Sequence, residues 1–128
     1  MNRTKVETGN DELKRSPSLV LNRNIGDKVI GVVEGRFENK TFPGKYSTLL
    51  SVQETTGSTV LWDKETKTEK EVDIDQGDKV FLAESTVLAK ALSTMAKGDK
   101  VEIIYLGKGK AKKGRKAPFL YDVFKITE

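Results

Sequence analysis

The chain has 128 residues, with 23 lysines and arginines against 19 aspartates and glutamates, and a formal net charge of +4. This length is enough for one domain with an apolar core of its own. There is no cysteine and no histidine, which excludes disulfides, Cys/His zinc sites and catalytic Ser-His or Cys-His pairs. We expect neither a metal ion nor another cofactor.

The first 24 residues are mostly polar and predict a flexible N-terminal arm, followed by one domain over residues 25–128. Within the arm, only residues 18–21 (Ser-Leu-Val-Leu) could form a short strand or a docking contact. The chain has no run of the roughly 20 apolar residues that span a membrane, and its start lacks the apolar core of a signal peptide. We therefore expect a protein that remains in the cytoplasm where it is made and does not bind membranes.

Two strands joined by a turn come next. Residues 28–37 are rich in β-branched side chains, and the interior glycines Gly31 and Gly35 predict a bulge or a sharp bend. Residues 46–52 alternate as a half-buried strand does. The polar segment between them, residues 39–45, is predicted to be the connecting turn.

A hairpin and a third main strand follow. Residues 59–63 and 70–74 are predicted to be the arms of the hairpin, with residues 64–69 as a polar tip. A free edge of this hairpin could serve in a homodimer. Residues 79–83 form the third main strand.

One helix is predicted before the last two strands. Ser85 is a good N-cap, and Gly98 supplies a helix stop. The apolar residues that fall on one helical face are Val87, Leu88, Ala91, Leu92 and Met95. The fourth and fifth strands are residues 100–106 and 119–126.

The sequence Gly-Asp-Lys-Val occurs three times, at residues 26–29, 77–80 and 98–101. Gly-Asp favours a turn, because glycine tolerates a positive φ and aspartate bonds nearby backbone groups. Each copy precedes a β-branched run, so we interpret the three as turns that introduce strands rather than as a metal-binding carboxylate site.

The order of these elements defines the predicted fold. A lone helix between the third and fourth strands of a five-stranded set is typical of the OB-fold barrel. We therefore predict a mainly β protein, a five-stranded OB-fold barrel with one helix between strands 3 and 4 and an extra β-hairpin before strand 3. A plain antiparallel sandwich is the alternative.

Residues 107–118, called the basic loop below, carry six cations and no carboxylate; the rest of the chain then has a net charge of −2. A charged run can simply be a solvated loop, but this one lies between two predicted strands. Base edges are recognised best by arginine, so a lysine-rich loop favours phosphate neutralisation with little sequence preference. The candidate phosphate-binding residues here are Lys108, Lys110, Lys112, Lys113, Arg115 and Lys116.

OB barrels bind along strands two and three, between the first-to-second and fourth-to-fifth loops. Single-strand binders combine cations for the phosphates with aromatic side chains on which bases stack. The further candidates are therefore Lys40, Phe42, Lys45, Tyr46, Trp62, Phe119 and Tyr121. Each of these aromatics could instead be packed in the core, where we also expect Phe37, Phe81, Tyr105 and Phe124.

Nothing in the sequence predicts an enzyme. The carboxylates are scattered over turns or lie beside lysines, and general acid–base catalysis needs a carboxyl group positioned at a reacting proton. The Gly-Lys-Gly-Lys segment at residues 107–110 lacks the spacing and the following helix of a phosphate-binding P-loop.

The last third of the chain resembles phage-encoded single-stranded DNA-binding proteins of the OB type. The resemblance lies in residues 98–108 (GDKVEIIYLGK), the basic loop, residues 121–124 (YDVF) and the preceding helix. It implies binding of DNA strands exposed in replication, recombination or repair, in the host cytoplasm, with replication or recombination proteins as partners. Bacterial single-strand binders often end in an acidic tail that recruits such partners, and this sequence ends Lys-Ile-Thr-Glu without one.

Two other functions remain open at this point. The basic loop could dock an acidic protein surface, which would make the chain an interaction or assembly module. The domain could also bind RNA or duplex DNA, because a lysine-rich loop does not distinguish between these polyanions.

Overall fold

A computed structural model describes residues 16–39, 41–63 and 65–127 of the chain. The described part is mainly β, with a single short helix, as predicted. The elements in chain order are β1 (Ser18–Val20), β2 (Lys28–Glu38), β3 (Tyr46–Thr55), β4 (Ser58–Asp63), β5 (Thr68–Glu71), β6 (Lys79–Ala83), α1 (Thr86–Leu92), β7 (Lys100–Lys108) and β8 (Phe119–Ile126). Over these ranges, no helix is long and apolar enough to cross a bilayer.

All eight strands belong to one open sheet, in the order β5-β4-β1-β6-β3-β2-β7-β8. The extra hairpin β4–β5 precedes the third main strand, β6, and the helix lies between β6 and β7, as the sequence predicted. The second arm of the hairpin is residues 68–71, earlier in the chain than the predicted 70–74. The closed five-stranded barrel is not confirmed. Closing the five main strands would require β6 to pair with β8, but β6 pairs on that side with β1.

The short strand β1 is part of the sheet rather than of a free arm. Ser18 lies opposite Val60 of β4 and opposite Phe81 of β6. Leu19 and Leu21 are 5% and 2% exposed and belong to the main core. The predicted boundary between arm and domain, at residues 24 and 25, therefore falls after a segment that completes the core. The rest of the predicted arm, residues 1–15, lies outside the described residues.

Strand β2 is bent where the glycines predicted it. Its pairing with β3 shifts between Ile30 and Gly31 and again between Val33 and Gly35. A Cβ atom at Gly31 would lie 2.9 Å from the Ser51 carbonyl oxygen, so only glycine allows β3 to come this close. Such bulges increase the local bend and twist of the sheet.

The three Gly-Asp turns have the same geometry. In each, the glycine has a φ of +93° to +95°, and the aspartate carboxylate accepts a hydrogen bond from the N–H three residues earlier, at 2.8–3.3 Å. The glycine N–H also donates to a carbonyl on a neighbouring strand, at 2.7–2.8 Å. The three acceptors are Tyr105, Val52 and Val33. The interpretation of these sequences as turns that introduce strands is confirmed.

The helix α1 begins as predicted and ends earlier. The Ser85 hydroxyl accepts a hydrogen bond from the Leu88 N–H, and Leu88 and Leu92 are buried against the sheet. The helix ends at Leu92 instead of continuing toward Gly98, because the following residues enter the turn before β7. Met95 still packs against the core from this turn. The main core consists of Leu19, Leu21, Val29, Val33, Leu50, Val52, Val80, Leu82, Leu88, Leu92, Val101 and Ile103.

Candidate nucleic-acid interface

The basic loop is a hairpin connection that projects its charges into solvent. Its base is closed by a hydrogen bond from the Gly109 N–H to the Pro118 carbonyl at 2.8 Å, and its tip by one from Arg115 N–H to the Lys112 carbonyl at 2.9 Å. The six predicted cations are all exposed, and none forms an ion pair within the described ranges. The loop therefore presents positive charge that no carboxylate of the described chain neutralises.

The aromatic residues behind this loop form a cluster on the core side of β7 and β8. Tyr105 is 4% exposed, as predicted for a core residue, and its ring lies 5.4 Å from that of Tyr121 and 6.1 Å from that of Phe119. Burial raises the pKa of the Tyr121 hydroxyl to about 12, and the neighbouring Tyr105 adds to this. Lys108 Nζ lies 5.7 Å from the Phe119 ring centroid. Phe119 and Tyr121 are half-buried, so they support the loop more than they offer free ring faces.

The connection between β2 and β3 presents Phe42 outward. The Asn39 side-chain oxygen accepts hydrogen bonds from the N–H groups of Thr41 and Phe42, at 2.9 and 3.2 Å, and Gly44 turns the chain with a φ of +86°. This fixed turn leaves the Phe42 ring 63% exposed, and Lys45, three residues later, is exposed as well. The candidate Lys40 lies outside the described residues.

Tyr46 is held beneath an arginine. The Arg36 guanidinium carbon lies 4.0 Å from the Tyr46 ring centroid, and Arg36 also forms a two-pronged ion pair with the buried carboxylate of Glu84, at 2.6 and 2.9 Å. The Thr48 hydroxyl donates to the same carboxylate at 2.6 Å. The hydrogen bonds to Glu84 raise the pKa of Arg36 above its ordinary value. One face of Tyr46 is therefore already occupied by Arg36.

The two predicted basic loops do not lie side by side. Glu38, at one end of β2, pairs with Tyr46 and leads into the loop of residues 39–45. Lys28, at the other end, pairs with Ile104 of β7, which runs on into the basic loop. A straight strand of 11 residues is roughly 36 Å long, and the bulges shorten β2 somewhat. A ligand that contacts both loops must therefore follow the length of β2.

Phe37 and Phe81, both predicted to lie in the core, form an aromatic pair on the face of the sheet that points away from the core. Phe37 is 43% exposed, and its ring meets that of the half-buried Phe81 edge to face, with centroids 6.0 Å apart. Gly35 pairs with Leu49, and Leu49 pairs with Phe81, so the three share this outer face. The Phe37 ring covers Gly35, where an added Cβ would lie 3.1 Å away.

For Phe37, the reason for this error is the bulge at Glu34. Before it, the odd-numbered residues of β2, such as Val33, face the core; after it, Arg36 pairs with the buried Thr48, and Phe37 faces outward. A one-residue shift exchanges the two faces of a strand. Gly35 was the signal in the sequence that could have placed this switch.

Two other exposed aromatics lie among carboxylates. Trp62 is 61% exposed on β4, and its cross-strand neighbour on β5 is Glu69. Phe124, also assigned to the core by the sequence analysis, is 50% exposed on β8 and lies opposite Glu102. Carboxylates repel phosphates, so these two positions are poorer places for a DNA backbone than the outer face of the sheet that carries Phe37 and Phe81.

Comparisons of this chain with protein-family models, with curated proteins and with solved structures found no match.

Proposed function

We propose that this protein binds single-stranded DNA without catalysing a reaction and largely without regard to base sequence. The observation that carries this proposal is the basic loop, whose six cations are exposed and form no ion pair within the described ranges. Lysines on a glycine-containing loop can follow phosphates without fixing the position of a base. Binding of this kind is driven mainly by the release of counterions from the nucleic acid.

We further propose that the five strands β6-β3-β2-β7-β8, with α1 between β6 and β7, act as an OB-type platform. The bulged strand β2, which pairs with both β3 and β7, supports this view. On this interpretation, β1 and the β4–β5 hairpin are additions that extend the sheet beyond β6. OB domains use such a curved sheet, flanked by loops, to bind oligonucleotides.

The path of the DNA strand in this proposal follows β2. Phosphates contact the basic loop at one end, and bases stack at the other end on Phe42 and on the outward ring of Phe37. Stacking of a base on an aromatic side chain contributes about 1–3 kcal/mol and tolerates any base. Lys45 supplies a cation at the aromatic end. DNA strands exposed in replication, recombination or repair, in a host cytoplasm, are the ligands that the resemblance implies, and proteins of those processes are the implied partners.

The test is a competition experiment with a fluorescently labelled oligo-dT, followed by anisotropy over a range of salt concentrations. This readout does not depend on Trp62, whose surroundings are acidic. We expect salt-sensitive binding that unlabelled oligo-dT displaces better than duplex DNA of equal length. No binding at micromolar protein would refute the proposal. Stronger competition by oligo-U would replace DNA by RNA as the ligand, and a protein partner that survives nuclease treatment, without oligonucleotide binding, would support the assembly module.

A further inference from the structure

Three exposed aliphatic side chains lie at the root of the basic loop, where the proposed path of the DNA places only phosphates. Ile25, directly before the first Gly-Asp turn, is 77% exposed, more than any other large apolar residue in the described ranges. Leu106 on β7 and Leu120 on β8 are 45% and 37% exposed. These three residues are called the apolar patch below. Single exposed apolar side chains are common on proteins, but a contiguous group of them marks an interaction site.

Backbone contacts bring the apolar patch together from separate parts of the chain. The Gly26 N–H donates to the Tyr105 carbonyl at 2.8 Å, so the turn that follows Ile25 lies alongside β7. On the other side of β7, Gly107 lies opposite Leu120 of β8. The patch therefore crosses three neighbouring segments of the sheet, directly beneath the point where the basic loop begins.

Two glycines let the aliphatic side chains of the patch lie close to the sheet. A Cβ atom at Gly107 would lie 3.1 Å from Ile25 Cδ1, and one at Gly109 would lie 3.4 Å from Leu120 Cδ1. Because neither glycine has a side chain, Ile25 and Leu120 lie over the strand backbone at these points. Leu106 is the extra residue where the pairing of β7 with β8 shifts. The result is a low apolar surface rather than a deep pocket.

The charges around the apolar patch differ between its two sides. On one side are the exposed cations of the basic loop, beginning with Lys108. On the other side, the next outward residue of β8 is the exposed Asp122. In the Gly-Asp turn, the Asp27 carboxylate already accepts hydrogen bonds from the Asn24 N–H and the Thr56 hydroxyl, both at 3.3 Å. A ligand on the patch therefore needs its negative charge on the loop side and an apolar surface toward the sheet.

We infer that the apolar patch binds bases of the same DNA strand whose phosphates the basic loop binds, and that Ile25 and Leu120 thereby select single strands over duplexes. This inference rests on the proposed function. Phosphate neutralisation alone does not separate the two forms of DNA, because both are polyanions. The flat face of an unpaired base is free to pack on an apolar surface, whereas the bases of a duplex are stacked on one another. The loop end of the path then selects single strands without help from Phe37 and Phe42 at the other end.

Anisotropy titrations with labelled oligo-dT and with duplex DNA of equal length test this selection. The double variant I25A/L120A removes apolar surface and changes no charge. Its affinity for oligo-dT should fall about tenfold, because apolar contact area is lost, while its affinity for the duplex and both salt slopes should stay the same. The matched control is F124A, on the outward face of β8 farther from the loop, which should leave both affinities unchanged. All three positions are exposed, so the variants should fold, and circular dichroism checks this.

The outcomes separate this inference from the proposed function. Equal losses for oligo-dT and duplex, or no loss for oligo-dT, would overturn the role of the apolar patch, while salt-sensitive oligo-dT binding by the unmodified protein would still support the proposed function. No oligo-dT binding by the unmodified protein would refute both.

The absence of cysteine from the chain permits a second measurement that does not depend on affinity. I25C places a single thiol in the apolar patch, and its rate of alkylation by iodoacetamide reports whether the patch is covered. Saturating oligo-dT should slow the reaction much more than saturating duplex does. The control T68C, on the edge strand β5, should react at the same rate with and without DNA. Equal protection of I25C by both forms of DNA, or protection only by vesicles of anionic phospholipid, would overturn the inference.

Discussion

Replacing three lysines of the basic loop by glutamine tests the phosphate-binding role directly. The loop variant changes Lys110, Lys112 and Lys113. The control variant changes Lys67, Lys90 and Lys97, which are exposed on other parts of the chain. Both lower the formal net charge from +4 to +1, because three lysines are lost in each. A difference between them therefore reports on position and not on overall charge.

The expected change in salt dependence follows from the number of phosphate contacts that the loop variant loses. For single strands, the logarithm of the binding constant falls with the logarithm of the salt concentration by about 0.7 for each phosphate that is contacted. Losing three contacts should therefore make the slope shallower by about 2.1. Over a tenfold change in salt, the affinity gap between the loop variant and the unmodified protein should change by about 100-fold, and be widest at low salt.

Anisotropy titrations with labelled oligo-dT at four or five salt concentrations measure this slope. The control variant should keep the slope of the unmodified protein. Two results would contradict the reasoning. If the loop variant keeps its slope, the loop does not contact phosphates; if both variants lose slope equally, only long-range attraction by the net charge is involved.

Three further predictions concern the residues around the interface. Phe37→Ala should weaken oligo-dT binding by about 1–3 kcal/mol with an unchanged salt slope, because it removes a stacking surface and no cation; an unchanged affinity would exclude this face. Arg36→Ala should lower the free energy of unfolding in urea by about 3 kcal/mol, because it leaves the buried Glu84 carboxylate without its partner; a loss well below 1 kcal/mol would show that Glu84 finds another partner. Tyr121 should form its phenolate near pH 12, followed by absorbance, and Tyr121→Phe should remove this late step.

The sign of the last effect also predicts how stability depends on pH. The folded state holds the Tyr121 proton more tightly than the unfolded state, in which tyrosine titrates near its ordinary pKa of 10.0. Stability from this group is therefore complete below pH 10 and is lost as the pH rises toward 12. Urea denaturation above pH 10 should show a steeper loss of stability for the unmodified protein than for Tyr121→Phe. Equal losses would mean that the ring is not buried as described.

Most of the local structure could be predicted from the sequence, because it depends on residues close together in the chain. The third main strand, β6, and the last strand, β8, begin and end at the predicted residues, and Ser85 caps the helix as expected. The glycine at each Gly-Asp turn adopts the positive φ that its lack of a side chain allows. The six exposed cations of the basic loop were equally evident, because a run of one charge between two strands has few places to be buried.

Other features depended on contacts between distant parts of the chain. The sequence could not show that β1 would occupy the edge of β6 on which a closed barrel depends, since a three-residue strand carries almost no pattern of its own. It also could not show which face of the sheet Phe37 would occupy after the bulge at Glu34, because alternation predicts a face only while the register is unbroken. By itself, the sequence determined the five main strands, the Gly-Asp turns and the basic loop, which are set by local backbone preferences and by charge. The tertiary structure alone decided that the sheet stays open, that the two basic loops lie at opposite ends of β2, and that Phe37 and Phe81 face outward, because strand pairing and register are set by contacts far apart in the chain.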